Sequence, residues 1–349
     1  MSDSDAGDAL NTMESPVNRG IIETGRLSIG QSISSILNHF SLLNKNIFGI
    51  STGDDVSSDS KFAKPAEAVW AKAFGTYAKQ DNRKGIEGYH ADIMGGAFGL
   101  DFISTNKTTF GLGCGYLYNK IDPEKVSLSR TTADSIQGLL YYGYNHELNY
   151  MEKDALYLNL IGSFAYNMYD SKRNINIGTT INRQAKADYD GQQYTAYGEV
   201  GYYIPRSKIN LIPLASLEYS RLEVDSYTEN GADSINLYVN RQHYDLLELG
   251  LGLKFSSIIK KENIDIIPEI RGKWLHDFIA DKAEVTSRFT GGGASFKTVG
   301  AEPAKSVFDV GATLTLLGKN NIKLDLDYDF YIRDGFQSHN GAVTLKYRF

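Results

Sequence analysis

The side chains best suited to chemistry in this sequence are few and scattered. His276-Asp277, Asp334 and His339 could supply the acid–His pairs that a hydrolytic site needs within hydrogen-bond reach of one another. Nothing in their spacing brings them together, so they read as loop-end residues in contact with water, and His39 reads as a polar residue on a helix. Cys114 is the single cysteine, which excludes an intrachain disulfide and a cysteine-based zinc site and leaves a small apolar residue within a strand. Gly111-Leu-Gly-Cys-Gly115 has the glycine content of a phosphate loop. Its strict spacing of two, without a following helix, fails the context that such a loop requires. Asp325, Asp327 and Asp329 share one face of an alternating segment rather than the spacing of a metal site. There is no serine nucleophile elbow and no basic–aromatic patch for nucleic acid. The expectation is a protein without catalytic residues, cofactor or metal, and without a nucleic-acid partner.

The elements carrying these residues are strands. At the C-terminus Val343, Leu345, Tyr347 and Phe349 fall on one face, with Ala342, Thr344, Lys346 and Arg348 on the other. The preceding segment alternates Ile322, Leu324, Leu326, Tyr328, Phe330 and Ile332 with Lys323, Asp325, Asp327, Asp329 and Tyr331. Alternation alone fits either a sandwich with apolar residues inside or a transmembrane barrel with apolar residues facing lipid. Composition leans to the second: 34 Gly, 23 Tyr and 16 Phe, against 2 Trp and 7 Pro, suit many strands, tight turns and interfacial aromatic girdles. A net charge of −6 argues against nucleic acid as the main partner. No stretch approaches the apolar length of a transmembrane helix.

Taken in order, residues 1–25 read as a polar, acidic, disordered tether or remnant of an upstream segment. Leu27, Ile29, Ile33, Ile36, Leu37, Phe40 and Leu43 recur every three or four residues, which places a helix over 26–48. Residues 49–66 form a turn-rich linker, and 67–349 carry twelve strands. These fall near 67–79, 88–103, 107–121, 132–148, 154–170, 189–204, 208–224, 241–258, 263–279, 304–317, 320–332 and 338–349. The first strand fits two registers, with either Trp70 and Phe74 or Val69 and Tyr77 toward lipid. In the other strands alternation assigns Gly111, Gly113, Gly115, Glu199, Glu218, Glu248, Arg271, Asp325, Asp327 and Asp329 to the interior. The glycines could give a helix room inside, or serve strand bending and close packing.

Short connections (104–107, 149–153, 205–207, 259–263, 318–321) alternate with longer ones (122–131, 171–188, 225–240, 280–303). That sorting is expected of an even-stranded membrane barrel with brief periplasmic turns and extended outer loops. Strands of about 11 to 18 residues exceed the ~5–6 of globular sheets, as a tilted membrane crossing requires.

Several stretches carry a family likeness. They are Pro-Glu-Ile-Arg-Gly-Lys-Trp-Leu-His-Asp-Phe from Pro268, Val285–Phe289, Gly291–Gly293, Val310-Gly311-Ala312, Leu324–Tyr328 and the terminal Leu-Lys-Tyr-Arg-Phe. Together with Ala-Val-Trp-Ala-Lys-Ala-Phe-Gly and Gly-Ala-Phe-Gly-Leu-Asp upstream, they resemble the autotransporter β-domain of Gram-negative bacteria, in particular the rickettsia-type surface antigens. The resemblance implies an all-β, 12-stranded antiparallel transmembrane β-barrel in the outer membrane, with an N-terminal α-helix threaded through its pore. Leu27, Ile33, Ile36, Leu37 and Phe40 would belong to that pore helix. It also implies an N-terminal passenger exported and displayed, outer-membrane lipid as surroundings, and a monomer. The barrel-assembly machinery would read the terminal strand through Tyr347 and Phe349. Some members cut their passenger at an Asn-Asn pair within the helix. Here Asn38 and Asn44 stand apart, so self-cleavage is not expected. The residues agree with a helix inside a barrel: the segment is too polar for a membrane span, long enough for a bilayer core at 1.5 Å per residue, and between Leu27 and Asn44 it lacks the Lys or Arg of a membrane-surface helix. Met1 is followed by no signal peptide, so the chain reads as the C-terminal piece of a longer precursor. The rival readings are an outer-membrane enzyme of protease or lipase type, and a porin or loop adhesin.

Overall fold

The protein is described by a computed structural model covering residues 19–40, 68–83, 87–105, 107–124, 130–148, 154–177, 181–206, 209–280, 283–300, 303–318 and 321–349. The tether before 19, the last part of the expected helix and the linker over 49–66 lie outside the described residues. Among the described residues one α-helix, α1 (Arg19–Phe40), precedes seventeen strands. The first seven are β1 (Ala68–Gln80), β2 (Tyr89–Ser104), β3 (Thr108–Pro123), β4 (Arg130–Glu147), β5 (Ala155–Ile177), β6 (Ile181–Pro205) and β7 (Asn210–Val224). Then come β8 (Tyr227–Thr228), β9 (Leu237–Val239), β10 (Gln242–Ser256), β11 (Ile259–Lys260) and β12 (Ile264–Asp277). The last are β13 (Glu284–Phe289), β14 (Phe296–Val299), β15 (Ser306–Gly318), β16 (Ile322–Arg333) and β17 (Phe336–Arg348).

Twelve of these close into an antiparallel barrel. The order runs β10-β7-β6-β5-β4-β3-β2-β1-β17-β16-β15-β12, and β10 pairs with β12 to complete the ring. First and last strands meet over their whole length, from Ala68 opposite Arg348 to Gln80 opposite Phe336. In lipid an open edge would leave backbone donors and acceptors without partners, so closure is the condition for a sheet to exist there. The side chains obey the same solvent. Leu326 is 40 % exposed on the outer surface, whereas its neighbour Asp327 is 7 % exposed toward the lumen. Leu156, Leu158, Leu160 and Phe164 repeat the outward pattern on β5. The first strand takes one of its two registers: Trp70 and Phe74 are buried inside and Tyr77 faces out. No helix among the described residues is long and apolar enough to cross a membrane; the crossing is made by strands.

Two features depart from the expected boundaries. The helix begins at Arg19, ahead of 26, because Ile21 continues its apolar face and is fully buried. The region read as a loop over 171–188 is instead the far end of two strands of 23 and 25 residues, β5 and β6. This arm anchors a second sheet, ordered β14-β13-β9-β8, built from the connections after β7 and β12. Arg173 of β5 binds Glu229 beside β8, with Nε to Oε1 at 2.8 Å, and Glu229 accepts from the Leu237 amide at 2.8 Å. Tyr169, Tyr189 and Tyr227 stack in sequence at 5.0 and 4.1 Å between centroids. Leu237, Val239 and Val285 of the small sheet pack in one apolar cluster with Ile21, Phe74 and Ile121, so the sheet covers one end of the barrel.

A cation on the outer face should therefore disturb insertion more than the loss of an anion on the inner face. Leu326→Arg is expected to cost about 2–4 kcal/mol near the bilayer midplane, whereas Asp327→Asn, which weakens one hydrogen bond, should cost about 1 kcal/mol. Urea-dependent refolding into lipid vesicles measures both; equal costs would contradict the inside-out assignment.

Candidate functional site: a helix-filled lumen

The interior is occupied by α1, and its orientation follows from the ends of the strands it touches. A Cβ on Gly20 would lie against Ile121, near the end of β3 from which the sequence passes to β4. A Cβ on Gly143, near the short-turn end of β4, would fall 2.7 Å from the Phe40 ring. The helix thus runs from the long-loop end of the barrel to the short-turn end. Between these points Ile29, Ile33, Ile36 and Phe40 pack with Trp70, Ala97, Leu139, Tyr141, Ile161 and Tyr197, with Leu37 partly buried against the same group. Leu27 joins the cluster at the loop end.

The serines that make α1 polar have partners on the wall. Ser28 Oγ donates to Asn119 Oδ1 at 3.2 Å, and Ser32 bonds Gln137. Lys72 Nζ reaches the Gln31 carbonyl and Ser34 Oγ, both at 3.4 Å. Buried polar groups are tolerable only when satisfied in this way. Glu23 and Arg26 are the charged side chains between Gly20 and Phe40, and each meets an opposite charge on the barrel. Arg333 pairs with Glu23 at 2.7 Å, and Arg26 pairs with Glu248. These two cross-lumen pairs, of opposite polarity, define the depth and rotation of the helix.

The wall itself carries layered polar networks. Glu199 accepts from Tyr157 at 2.9 Å, Tyr197 at 2.8 Å, Lys254 at 3.1 Å and Lys273 at 2.9 Å. Arg271 pairs with Asp329 and donates to Thr313 at 2.8 Å, and Thr313 donates to Asp327 at 2.8 Å. Asp325 accepts from Thr315 at 2.6 Å and lies 2.8 Å from Lys323. Glu218 stands directly opposite Glu248 on neighbouring strands. Gly111 and Gly113 lie beneath Tyr141 and Trp70, and Gly115 beneath Ala97. Trp70 Nε1 donates to the Tyr141 hydroxyl, which donates to Asp101, both at 2.9 Å. Gly111 and Gly113 thus make room for large wall side chains that in turn touch the helix. Glu23, Arg333, Lys72, Asn119, Gln137 and Gly143 were not singled out from sequence. The one available signal was that Glu23 and Arg26 are isolated charges in the otherwise uncharged stretch between Gly20 and Phe40.

The residues with catalytic potential do not converge. His276 Nδ1 lies 2.9 Å from Ser306 Oγ, but the ring is stacked on Trp274 and edge to face with Phe278, and no carboxylate bonds it among the described residues. His339 bonds Tyr328 at 2.8 Å on the outer face, and Asp334 pairs with Arg83 at 2.9 Å. The described residues contain no group of three metal-ligating side chains. Tyr347 and Phe349 are exposed on the outer surface with their rings edge to face at 5.1 Å.

A closed, twelve-stranded barrel with an apolar exterior, a charged lumen and a helix spanning that lumen defines an outer-membrane barrel of the plugged type. The family description "Autotransporter beta-domain" matches residues 69–329, and the chain belongs to that family, one of translocators rather than enzymes, whose members carry a passenger domain. Outer membrane protein A of Rickettsia conorii is 28 % identical over 307 residues, covering 86 % of this chain and 14 % of that protein. Outer membrane protein B of Rickettsia prowazekii is 24 % identical over 311 residues, covering 87 % and 18 %. The chain thus spans less than a fifth of the length of these relatives. The translocator domain of the autotransporter NalP from Neisseria meningitidis superposes with a TM-score of 0.63 at 16 % identity, over 90 % of this chain and 98 % of that one. The domain resides in the outer membrane of a Gram-negative cell.

The Arg26–Glu248 pair is buried, and breaking one partner of such a pair costs about 3–5 kcal/mol. Arg26→Glu should loosen the helix, raising single-channel conductance and protease sensitivity of α1 in vesicles. The exchange Arg26→Glu with Glu248→Arg should restore both. Failure of the double variant to recover, with the barrel folded, would show that the pair does not seat the helix.

Proposed function

We propose that this domain anchors in the outer membrane and hands an N-terminal passenger through its lumen to the cell surface, leaving α1 in the pore behind it. The carrying observation is the direction of α1, from the long-loop end to the short-turn end. Long loops face outward and short turns face the periplasm in such barrels. The N-terminal end of α1 therefore opens to the external side, and its C-terminal end faces the periplasmic side, where β1 begins. On this reading the domain performs no bond chemistry. The helix lacks an Asn-Asn pair, which favours a passenger that remains attached or is cut by a separate protease. Leu27, Ile33, Ile36, Leu37 and Phe40 act as the resident plug, and the inward glycines, carboxylates and Arg271 as its hydrated seat. The partners are outer-membrane lipid, the passenger and the barrel-assembly machinery, with Tyr347 and Phe349 as the assembly signal and the barrel working as a monomer.

The test is surface display. An epitope placed upstream of residue 1, behind a signal peptide, should become accessible to external protease in intact cells. A folded barrel whose epitope stays in the periplasm would overturn the reading. Deleting Phe349 should lower outer-membrane levels in cells far more than it lowers refolding yield in detergent. Unchanged levels in cells would remove the assembly role of the terminal strand.

A further inference from the structure

The lipid-facing wall is not uniformly bulky. On β12 and β15 the outward positions include Ile270, Phe308, Val310 and Leu314, all exposed. Gly272 and Ala312 interrupt that surface. Gly272 lies opposite Val310 and Ile270 opposite Ala312, so the two small residues are diagonal neighbours on adjacent strands. A Cβ added to Gly272 would meet nothing within 4 Å. The result is a groove of about 720 Å³ on the outer face, floored by Gly272 and Ala312 and walled by Phe255, Ile270, Tyr328 and Phe330. Sites for small ligands span roughly 300–1,000 Å³, so the groove is large enough for one.

Its two ends differ in chemistry. Phe255, next to the short-turn end of β10, lies opposite Ile270 and leaves that end apolar. The other end carries His339, directly opposite Phe330 with ring centroids 4.9 Å apart. His339 Nδ1 lies 2.8 Å from the Tyr328 hydroxyl, and the imidazole is exposed. With that hydroxyl donating to Nδ1, the ring proton sits on Nε2, which becomes a donor for a ligand. Trp274 stands one pleat beyond Gly272 on the outer face of β12. The polar end is therefore level with the external aromatic belt, where the headgroup region begins. Above it β16 and β17 are joined by the tight turn Asp334-Gly335, so that hairpin has no long loop to overhang the wall.

Both ends match one kind of molecule. An unfilled hollow forfeits dispersion contacts, and an acyl chain laid in it regains them on three sides. A polar pair facing lipid is costly unless it meets another polar group, and the head of the same lipid supplies one. We infer that this groove binds one outer-leaflet lipid. Its acyl chain lies over Gly272 and Ala312, and an ester or phosphate oxygen at its head accepts from His339 Nε2. The barrel thereby holds a specific lipid in addition to the bilayer that solvates it, a property separate from passenger export.

The test titrates phosphatidylethanolamine, brominated on its acyl chains close to the ester, into the folded full chain in dodecylmaltoside micelles. Bromine quenches tryptophan on contact, and the chain has 2 tryptophans. Trp70 is buried in the lumen, so Trp274 reports on the groove. The expected result is quenching that saturates at one lipid per barrel. Ala312→Phe fills the groove and should weaken the apparent affinity about ten-fold or more. Gly138→Phe, on the lipid face of β4 where space is equally open, should leave it unchanged. His339→Phe should weaken it, and His339→Gln, which keeps a donor, should weaken it less.

Quenching that rises in proportion to added lipid without saturating, in a barrel folded by heat-modifiable electrophoretic mobility, would overturn the site. Equal affinity in folded Ala312→Phe would overturn its placement in the groove. The competing occupant is a second barrel. In a Cys114→Ser background, Gly272→Cys in lipid vesicles should remain monomeric under oxidation. Disulfide-linked pairs would assign the groove to a second copy and overturn the lipid. None of these results depends on export, which the surface-display assay reads separately.

Discussion

Closure of the backbone hydrogen-bond ring is the constraint on which the other features depend. The β10–β12 ladder joins strands that would otherwise be the two ends of an open sheet, and hydrocarbon offers no substitute partner for an unpaired amide. Once the ring is closed, side chains have two destinations set by the pleat, lipid or lumen. The outer set must then be apolar and the inner set has to manage charge in a confined space. The lumen networks are the consequence. Glu199 is shared by two lysines and two tyrosines, a density of compensation that a soluble surface would not need.

A barrel of this size cannot fill its interior with wall side chains alone, and α1 occupies the remainder. The helix is held by two different means. On the β1–β6 side it is packed, with Ile29, Ile33, Ile36 and Phe40 set among Trp70, Leu139 and Tyr141. On the opposite side it is held by charge, through Arg26–Glu248 and Glu23–Arg333. Packing supplies area and charge supplies register. Because the charged side needs only side-chain reach, it leaves open space beside Gly30, where an added Cβ would meet nothing within 4 Å.

Where the sequence misled, the solvent had changed. The 171–188 stretch carries outward Lys172, Lys186 and Asp188, which break the apolar face of a lipid-exposed strand and so read as loop. Above the membrane the outside is water, and the inward residues Arg173, Ile175, Ala185 and Ala187 are buried, in part against the small covering sheet. The polarity of β5 and β6 therefore reverses part-way along. The helix start was missed for a similar reason. Gly20 and Gly25 each weaken a helix by about 1 kcal/mol on propensity, yet Gly20 sits against Ile121 and Gly25 against Gln193, where a side chain would collide. The catalytic candidates were legible as negatives only, since His276, His339 and Asp334 are spread over separate positions at the barrel's loop end.

Strand number, alternation, loop sorting and the existence of one polar N-terminal helix were determined by the sequence itself, because a period of two and a bilayer-long crossing are local properties of each strand. The terminal strand with Tyr347 and Phe349 outward was legible on the same ground. The register of β1 was not: Val69 and Trp70 suit either face, and only pairing with β2 and β17 turns Trp70 inward. Which half of the lumen the helix leans on was likewise decided by the tertiary structure. That choice depends on the summed volumes of inward side chains from twelve strands, with Gly111 and Gly113 giving way to Tyr141 and Trp70, and on charges such as Glu23 and Arg333 that lie 310 residues apart in the chain. No local pattern encodes a sum of that kind.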